Sequence, residues 1–124
     1  MLRMLVVDDE IDICDFVKNF FKERSFDVFV AHNGEEALSL VETKSPDIIL
    51  LDLKMPVMDG MKTLAEIRRT RPEAKVIVVT AVEDKKKCEE AKRYGVVDYI
   101  TKPLLLEQLE RKVLATAETI RVRK

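Results

Sequence analysis

The sequence predicts a three-layer α/β/α domain, in which five parallel strands form one sheet between two layers of helices. Five apolar blocks recur at fairly even intervals, and the segments between them have helical spacing of apolar residues. Three of the blocks are nearly continuous in Val, Ile and Leu, which is typical of parallel strands that are covered on both faces. The length of 124 residues suits a single domain.

The predicted strands are short apolar runs, each followed by a helical segment. They are MLVV (4–7), FDVFVA (26–31), DIILL (47–51), KVIVVTA (75–81) and VVDYIT (96–101). Connections between neighbouring parallel strands are right-handed, so this alternation places helices on both faces of the sheet.

The first predicted helix has an apolar stripe with the i, i+3, i+4, i+7 spacing of an amphipathic helix. The stripe consists of Ile13, Phe16, Val17 and Phe20. We expect all four side chains to face the core. The second helix comes from NGEEALSLVETK (33–44), where Asn33 is a good N-cap residue.

Pro and Gly delimit the remaining helices. The third runs from about Met58 to Thr70, because Pro72 prevents it from continuing. The fourth, EDKKKCEEAKRYG (83–95), has a thin apolar stripe, and Gly95 suits its C-terminal cap. The fifth starts after Pro103. Its apolar stripe comprises Leu106, Leu109 and Val113.

Composition and charge argue against several classes of protein. The 22 Lys and Arg residues nearly balance the 23 Asp and Glu residues, so no direct nucleic-acid binding is indicated. The apolar runs are far shorter than the roughly 20 residues of a membrane span, and acids follow the N-terminus too early for a signal peptide. Cys14 and Cys88 have no CxxC spacing, so we interpret them as reduced packing residues of a cytoplasmic protein.

The predicted strand ends carry polar residues with complementary chemistry. In an open parallel sheet, ligands bind outside the carboxyl ends of the strands. The residues there are Asp8, Asp9 and Glu10 at the end of strand one, Asp52 at the end of strand three, Thr80 at the end of strand four, and Thr101, Lys102 and Pro103 at the end of strand five. Each also has an ordinary alternative role as a turn, cap or solvated residue. Their combination at four strand ends favours a functional site.

Three carboxylates would converge if strands one and three are neighbours. At about 4.5 Å and an effective dielectric of about 20, each pair of Asp8, Asp9 and Asp52 would cost about 3–4 kcal/mol of repulsion. Such a cluster needs a compensating cation, and its oxygen ligands suit Mg²⁺. With the Lys102 ammonium and the Thr80 hydroxyl, the ion would complete a site in which Asp52 attacks phosphorus.

Four motifs, in this order and at this spacing, resemble the receiver domain of bacterial two-component response regulators. They are LVVDDE (5–10), DIILLDLKMPVMDG (47–60), VIVVTA (76–81) and GVVDYITKP (95–103). The resemblance implies a flavodoxin-like sheet in the strand order 2-1-3-4-5. It also implies a single receiver domain over 1–124, with 121–124 either its native end or the start of a linker to an output domain.

The resemblance implies a ligand set around Asp52, the phosphoacceptor. Mg²⁺, for which Mn²⁺ could substitute, would bind the carboxylates of Asp9 and Asp52 and the backbone carbonyl of Lys54. Asp8 would hold the metal through water. Met55–Pro56 and Gly60 match the family's loop after the phosphoacceptor, where the backbone passes close to the site.

The resemblance also implies a switch. Lys102 would pair with the phosphoryl group, and its peptide bond to Pro103 would be cis. Thr80 would move to bind a phosphoryl oxygen, and Tyr99 would then turn inward. We further expect Lys54 and Val82, each two positions after a site residue, to tune hydrolysis. An apolar Val82 cannot orient water, so the phosphoryl group should be lost slowly.

The implied function is that of a switch, which catalyses only its own phosphorylation and dephosphorylation. The donor would be a sensor histidine kinase or a phosphotransfer protein. The face formed by helix four, strand five and helix five would act on an output domain or target, and phosphorylation-dependent pairing of two copies would be typical. No membrane association is implied.

Three other functions remain open from the sequence. An aspartate-nucleophile phosphohydrolase of HAD-like type could use Asp52, although that class typically has a second acid where Lys54 stands. A nucleotide-binding flavodoxin-like domain lacks support, because no GxGxxG or GxxxxGK loop is present. A pseudo-receiver that no longer takes phosphate would not need the intact set of acids, Thr80 and Lys102.

Overall fold

The computed structural model describes residues 1–54, 59–81 and 85–123 of the chain, and within them five strands alternate with five helices. The strands are β1 (Arg3–Val7), β2 (Asp27–Ala31), β3 (Ile48–Asp52), β4 (Lys75–Thr80) and β5 (Asp98–Thr101). The helices are α1 (Ile11–Lys22), α2 (Gly34–Lys44), α3 (Gly60–Thr70), α4 (Lys85–Lys92) and α5 (Leu106–Arg123).

All five strands are parallel and form one sheet in the order β2-β1-β3-β4-β5. This confirms the fold class and the strand order. In the register, Val7 at the end of β1 pairs with Leu51, one position before Asp52. At the same edge of the sheet, Thr80 pairs with Thr101. The ends of four strands therefore lie at one edge, where the predicted site residues follow them.

The sheet is covered on both faces, which explains the nearly continuous apolar strands. Along β1, Met4 and Val6 belong to a core formed with α1 and α5, whereas Leu5 and Val7 belong to a second core formed with α2, α3 and α4. The alternation follows from the two-residue period of a strand. Val17 of α1 lies in the first of these cores.

The ends of α2 and α3 are fixed by side-chain caps. The Asn33 side chain accepts a hydrogen bond from the backbone N–H of Glu36 at 2.9 Å, which confirms the predicted N-cap. Asp59 caps α3 by accepting from the N–H of Met61 at 3.1 Å. The predicted start of this helix at Met58 lies outside the described residues. After α4, Gly95 has a φ of +72°, a value that glycine adopts without strain.

Two side chains expected in the core are exposed instead. Phe16 is 55% exposed, because α1 packs on the sheet through Cys14, Val17 and Phe21. Leu106, the first residue of α5, is 41% exposed, whereas Leu109 further along the same helix is buried as predicted.

Both cysteines are free thiols, as predicted, and Cys14 is buried. Among the helices that the structure describes, none combines the length and the apolar composition that a membrane span requires.

Candidate functional site

Three aspartates meet at the carboxyl edge of the sheet. Asp52 is the last residue of β3, and Asp8 and Asp9 directly follow β1. One carboxylate oxygen from each lies within 4.8 Å of the others. The structure thus brings together the acids that the sequence placed at neighbouring strand ends.

Asp52 is held through both of its carboxylate oxygens. Its side chain is almost completely buried. The Lys102 ammonium donates to Oδ2 at 3.0 Å, and the backbone N–H of Lys54 donates to Oδ1 at 3.0 Å. The carboxylate therefore has a fixed position on a rigid strand, next to one cation.

Lys102 reaches Asp52 from the end of β5. Its backbone N–H donates to the carbonyl oxygen of Thr80 at 2.8 Å, which extends the pairing of β4 and β5 by one residue. The peptide bond between Lys102 and Pro103 is cis, as the resemblance implied. The ammonium also lies 3.8 Å from Glu10 Oε1. Partial burial disfavours the ammonium, but the hydrogen bond and the attraction to Asp52 outweigh it and raise the pKa of Lys102.

Asp8 is a buried member of the cluster, and its burial changes the pKa of its carboxyl group. Burial raises the pKa of its carboxyl to about 6. A hydrogen bond from the backbone N–H of Glu10, at 2.9 Å, opposes the shift, and the charge of Asp52 adds to it. Near pH 6, Asp8 can therefore hold a proton that a neighbouring cation would displace. Asp9, by contrast, is exposed.

The donor set fits a small divalent cation. All three side chains offer carboxylate oxygens, the ligands that Mg²⁺ and Mn²⁺ prefer over nitrogen or sulfur. Two of them, Asp8 and Asp52, are buried carboxylates, and one fixed ammonium offsets only part of their charge. The Lys54 carbonyl, expected as a further ligand, belongs to the residue whose N–H already holds Asp52.

The two residues expected to form the switch lie on neighbouring strands. Thr80 is buried at the end of β4, and its hydroxyl makes one long hydrogen bond, 3.5 Å to the carbonyl oxygen of Ala81. Tyr99 lies in β5 and is 37% exposed. Both line a groove of about 350 Å³ between α4 and β5, which we call the switch groove; it also contains Cys88 and Lys92.

Gly60 brings the start of α3 against the backbone that follows Asp52. A Cβ atom at position 60 would lie 2.4 Å from the carbonyl oxygen of Leu53, and 2.5 Å from its Cα. No side chain fits at this distance from a backbone, so glycine is required there. This agrees with the close approach expected from the loop motif.

Some expected site residues are not placed. Val82 and the pair Met55–Pro56 lie outside the described residues. At the C-terminus, α5 continues to Arg123, and Lys124 is likewise outside.

The sequence reasoning missed a side chain at the site and an apolar surface beside it. The sequence pattern assigns no contact to Glu10 of the LVVDDE motif, although its carboxylate lies near Lys102. Large apolar side chains are exposed on α1 and just before and at the start of α5. They are Ile11, Phe16, Leu105 and Leu106. Exposed apolar side chains are a signal of an interaction surface, and the fold places Phe16 and Leu106 along one groove.

Residues 4–114 match the protein family described as "Response regulator receiver domain". The chain belongs to this family. The resemblance of the four sequence motifs is therefore confirmed, and the chain is a signalling domain of the two-component type. Receiver domains bind Mg²⁺ at an acidic pocket, and this chain has the Asp8–Asp9–Asp52 cluster at the carboxyl edge of its sheet.

Two relatives show that this receiver domain resembles both short and long proteins. The chain is 39% identical over 116 residues to the chemotaxis protein CheY of Listeria monocytogenes, covering 90% of this chain and 98% of CheY. It is 38% identical over 107 residues to the regulatory protein AtoC of Escherichia coli, covering 86% of this chain but only 23% of AtoC. It therefore spans nearly all of one relative and under a quarter of the other.

A solved structure supports the fold. The response regulator protein TrrA from Thermotoga maritima, in complex with Mg²⁺–BeF, superimposes with a TM-score of 0.82 at 32% sequence identity. The match covers 94% of this chain and 99% of TrrA.

Proposed function

We propose that this receiver domain accepts a phosphoryl group on Asp52 from a sensor histidine kinase or a phosphotransfer protein. The observation that supports this most is the environment of Asp52, a buried carboxylate held by one ammonium and one backbone N–H beside two further acids. A purely structural aspartate would not need this concentration of negative charge, which costs free energy unless a cation joins it.

Phosphoryl transfer from a phosphohistidine forms one O–P bond and breaks one P–N bond. A carboxylate oxygen of Asp52 attacks phosphorus in line, the P–N electron pair goes to nitrogen, and the ring, protonated at its other nitrogen, leaves as neutral imidazole. The Lys54 N–H and the Lys102 ammonium keep the carboxylate in position, and the ammonium is close enough to neutralise an oxygen of the arriving group. Bound Mg²⁺, held by Asp9 and Asp52 and by Asp8 through water, would supply further positive charge at this point.

The donor must cover the opening beside Asp52, and the exposed apolar side chains there suit a protein partner. Ile11 and Phe16 on α1 are 61% and 55% exposed, and Leu105 before α5 is 60% exposed. A groove of about 270 Å³, lined by Phe16 and Leu106 among others, lies between these elements. A partner that packs on this surface would bring its phosphohistidine over the acidic cluster.

Phosphorylation of Asp52 would work by changing the population of two conformers. The acyl phosphate carries about −2 charge, which favours a conformer with Thr80 and Lys102 drawn toward it. Moving a 1:99 mixture to 99:1 requires about 5.5 kcal/mol, which a few charge-assisted hydrogen bonds of about 1.5–3 kcal/mol each could supply. We propose that Tyr99 then enters the switch groove and alters the α4–β5–α5 face. An output domain, a target protein or a second copy would bind there.

The wider setting is also a proposal. AtoC extends far beyond the region that matches this chain, so the same receiver domain could precede an output domain or act alone over residues 1–124. We place it in the cytoplasm, where a kinase could reach it.

We propose that Val82 and Lys54 tune hydrolysis of the phosphoryl group. Replacing Val82 with Glu or Asn should shorten the lifetime of the phosphoryl group.

Treatment with acetyl phosphate and Mg²⁺, followed by intact mass measurement, tests the proposal. Wild type should gain the mass of one phosphoryl group, and Asp52→Asn should gain none. Asp27→Asn is the matched control, because it removes an exposed carboxylate at the start of β2, at the sheet edge opposite the cluster, and it should behave as wild type. Equal labelling of Asp52→Asn would contradict the proposal. Multiple turnover of a chromogenic phosphate ester, dependent on Asp52, would instead favour a phosphohydrolase.

A further inference from the structure

Two ammonium groups flank the ring of Tyr99. Lys92, the last residue of α4, places its Nζ 5.1 Å from the ring centroid, and Lys112 of α5 places its Nζ at 5.2 Å. Both distances are within the range of about 6 Å in which a cation is attracted to an aromatic face. The ring is therefore contacted by a cation from each of the two helices beside β5 in its present, partly exposed position.

Lys112 is fixed in place by the strand that carries Tyr99. Its ammonium donates to Asp98 Oδ1 at 3.0 Å and to the backbone carbonyl of Tyr99 at 2.6 Å. The same Asp98 oxygen accepts the backbone N–H of Tyr99 at 2.8 Å. The Lys112 side chain is only 18% exposed. Because these bonds tie the ammonium to the backbone of β5, it cannot follow the ring if the ring rotates.

The switch groove offers the ring an alternative position. It holds about 350 Å³ of space next to Thr80, and Tyr99 lies at its border. Part of its wall is small or unbranched, as at Ala81 and Cys88. A ring that turned from its present position toward Thr80 would leave the Lys112 ammonium, so the contact contributes only to the outward conformer.

We propose that Lys112 is a positioning residue that holds Tyr99 outward and thereby sets how much of the unphosphorylated protein occupies the inward conformer. The proposal rests on the proposed function, since it concerns regulation of the Thr80–Tyr99 switch. It assigns Lys112 a role that does not require contact with the phosphoryl group.

The variants that test this remove one charge each while keeping an unbranched side chain of similar length. Lys112→Met should raise the ratio of inward to outward conformers about three-fold or more, as expected from the loss of one cation–π contact. Lys92→Met should change this ratio less, because Lys92 lines the groove that the inward ring would enter. Lys112→Arg keeps the cation and should stay near wild type. Arg111→Met and Lys86→Met are matched controls, because they remove a charge from exposed positions of the same two helices.

The readout is ¹⁹F NMR of 3-fluorotyrosine in a Tyr94→Phe background, which leaves Tyr99 as the only tyrosine. The signals with and without beryllofluoride and Mg²⁺ define the inward and outward references. If beryllofluoride binds the inward conformer, a larger inward population raises the apparent affinity of the protein for beryllofluoride in proportion. The beryllofluoride concentration at half-saturation should therefore fall by the same factor.

The possible results separate this inference from the proposed function. If Lys112→Met shifts the unphosphorylated signal toward the inward reference and the controls do not, the inference is supported. If beryllofluoride moves the wild-type signal but Lys112→Met matches the controls, the inference is wrong and the switch stands. If beryllofluoride leaves the wild-type signal unchanged, the switch is wrong and the inference falls with it.

Discussion

The ammonium of Lys102 lies 3.0 Å from Oδ2 of Asp52, and the two residues are 50 positions apart in the chain. The Asp52 side chain is 2% exposed and that of Lys102 is 30% exposed. One side of this ion pair is thus part of the protein interior, whereas the other borders solvent and Glu10. The cation stands at the opening through which a phosphoryl group would reach the carboxylate.

We predict that Lys102→Met slows phosphorylation by acetyl phosphate by about tenfold or more. The variant loses a charge-assisted hydrogen bond, which is worth about 1.5–3 kcal/mol, and about 1.4 kcal/mol corresponds to a tenfold change in rate. The measurement is the rate of mass gain in millimolar Mg²⁺. Lys62→Met, an exposed lysine of α3, is the control. An unchanged rate in Lys102→Met would show that the ammonium plays no part in the transfer.

Asp8→Asn should stabilise the metal-free protein at neutral pH. Because the folded state raises the pKa of Asp8 from 3.8 to about 6, it binds this proton more tightly than the unfolded chain does. The associated stability is present below about pH 4 and is lost as the pH rises through about 6. At pH 7.5 the ionised carboxylate opposes folding by about 2–3 kcal/mol, and Asn removes this cost while keeping an acceptor for Glu10.

Urea unfolding in EDTA checks this prediction at two pH values. The gain in unfolding free energy for Asp8→Asn should fall from about 2–3 kcal/mol near pH 7.5 to about 1 kcal/mol near pH 4.5. A gain that is the same at both pH values, or a loss at pH 7.5, would mean that folding does not raise the pKa of Asp8.

Mg²⁺ should raise the thermal midpoint of wild type by mass action. At about ten times its dissociation constant, a ligand that binds only the folded state adds about 1.4 kcal/mol, or about 4–6 °C for a domain of this size. Asp9→Asn removes one expected ligand from the exposed side of the cluster and should reduce the shift. A potassium salt of equal ionic strength controls for screening. An equal shift in wild type and Asp9→Asn would exclude Asp9 as a ligand.

Gly60→Ala should destabilise the protein through a backbone contact. The new Cβ would lie 2.4 Å from the Leu53 carbonyl oxygen, so α3 must move away from the segment behind Asp52, at a cost of about 1–3 kcal/mol. Gly95→Ala provides a comparison, because a Cβ there meets open space and only the positive φ is unfavourable. It should cost about 1 kcal/mol. Thermal or urea unfolding distinguishes the two, and a stable Gly60→Ala would contradict the close approach.

The fold could be predicted because covered parallel strands have a distinctive composition, whereas the face of α1 could not. Strands such as β3 are apolar on both faces since helices cover both, and the sequence shows this directly. In α1 the apolar face is wider than a single stripe, so more than one set of residues satisfies helical spacing. Packing against the sheet selects Cys14 and Phe21 and leaves Phe16 exposed, and this choice depends on contacts between distant segments.

The site, like the fold, has some features that the sequence predicts and others that it does not. Parallel topology brings strand ends to one edge, so the meeting of Asp8, Asp52 and Lys102 could be expected from their positions after the strands. The burial of Asp8 and the exposure of Asp9 depend on how the surrounding loops close, and the raised pKa follows from that burial. The contact of Lys112 with Tyr99 needs the orientation of α5 against β5, which helical spacing does not specify.

The most direct test of the central claim is to locate the phosphoryl group chemically. Borohydride reduces an aspartyl phosphate to homoserine, which peptide mass spectrometry identifies by position. After brief treatment with acetyl phosphate and Mg²⁺, and likewise with a phosphorylated histidine kinase, we expect homoserine at position 52 alone. Homoserine at position 8 or 9 with Asp52 unchanged, or none at all from protein that has gained the mass of a phosphoryl group, would contradict the assignment of Asp52 as the phosphoacceptor.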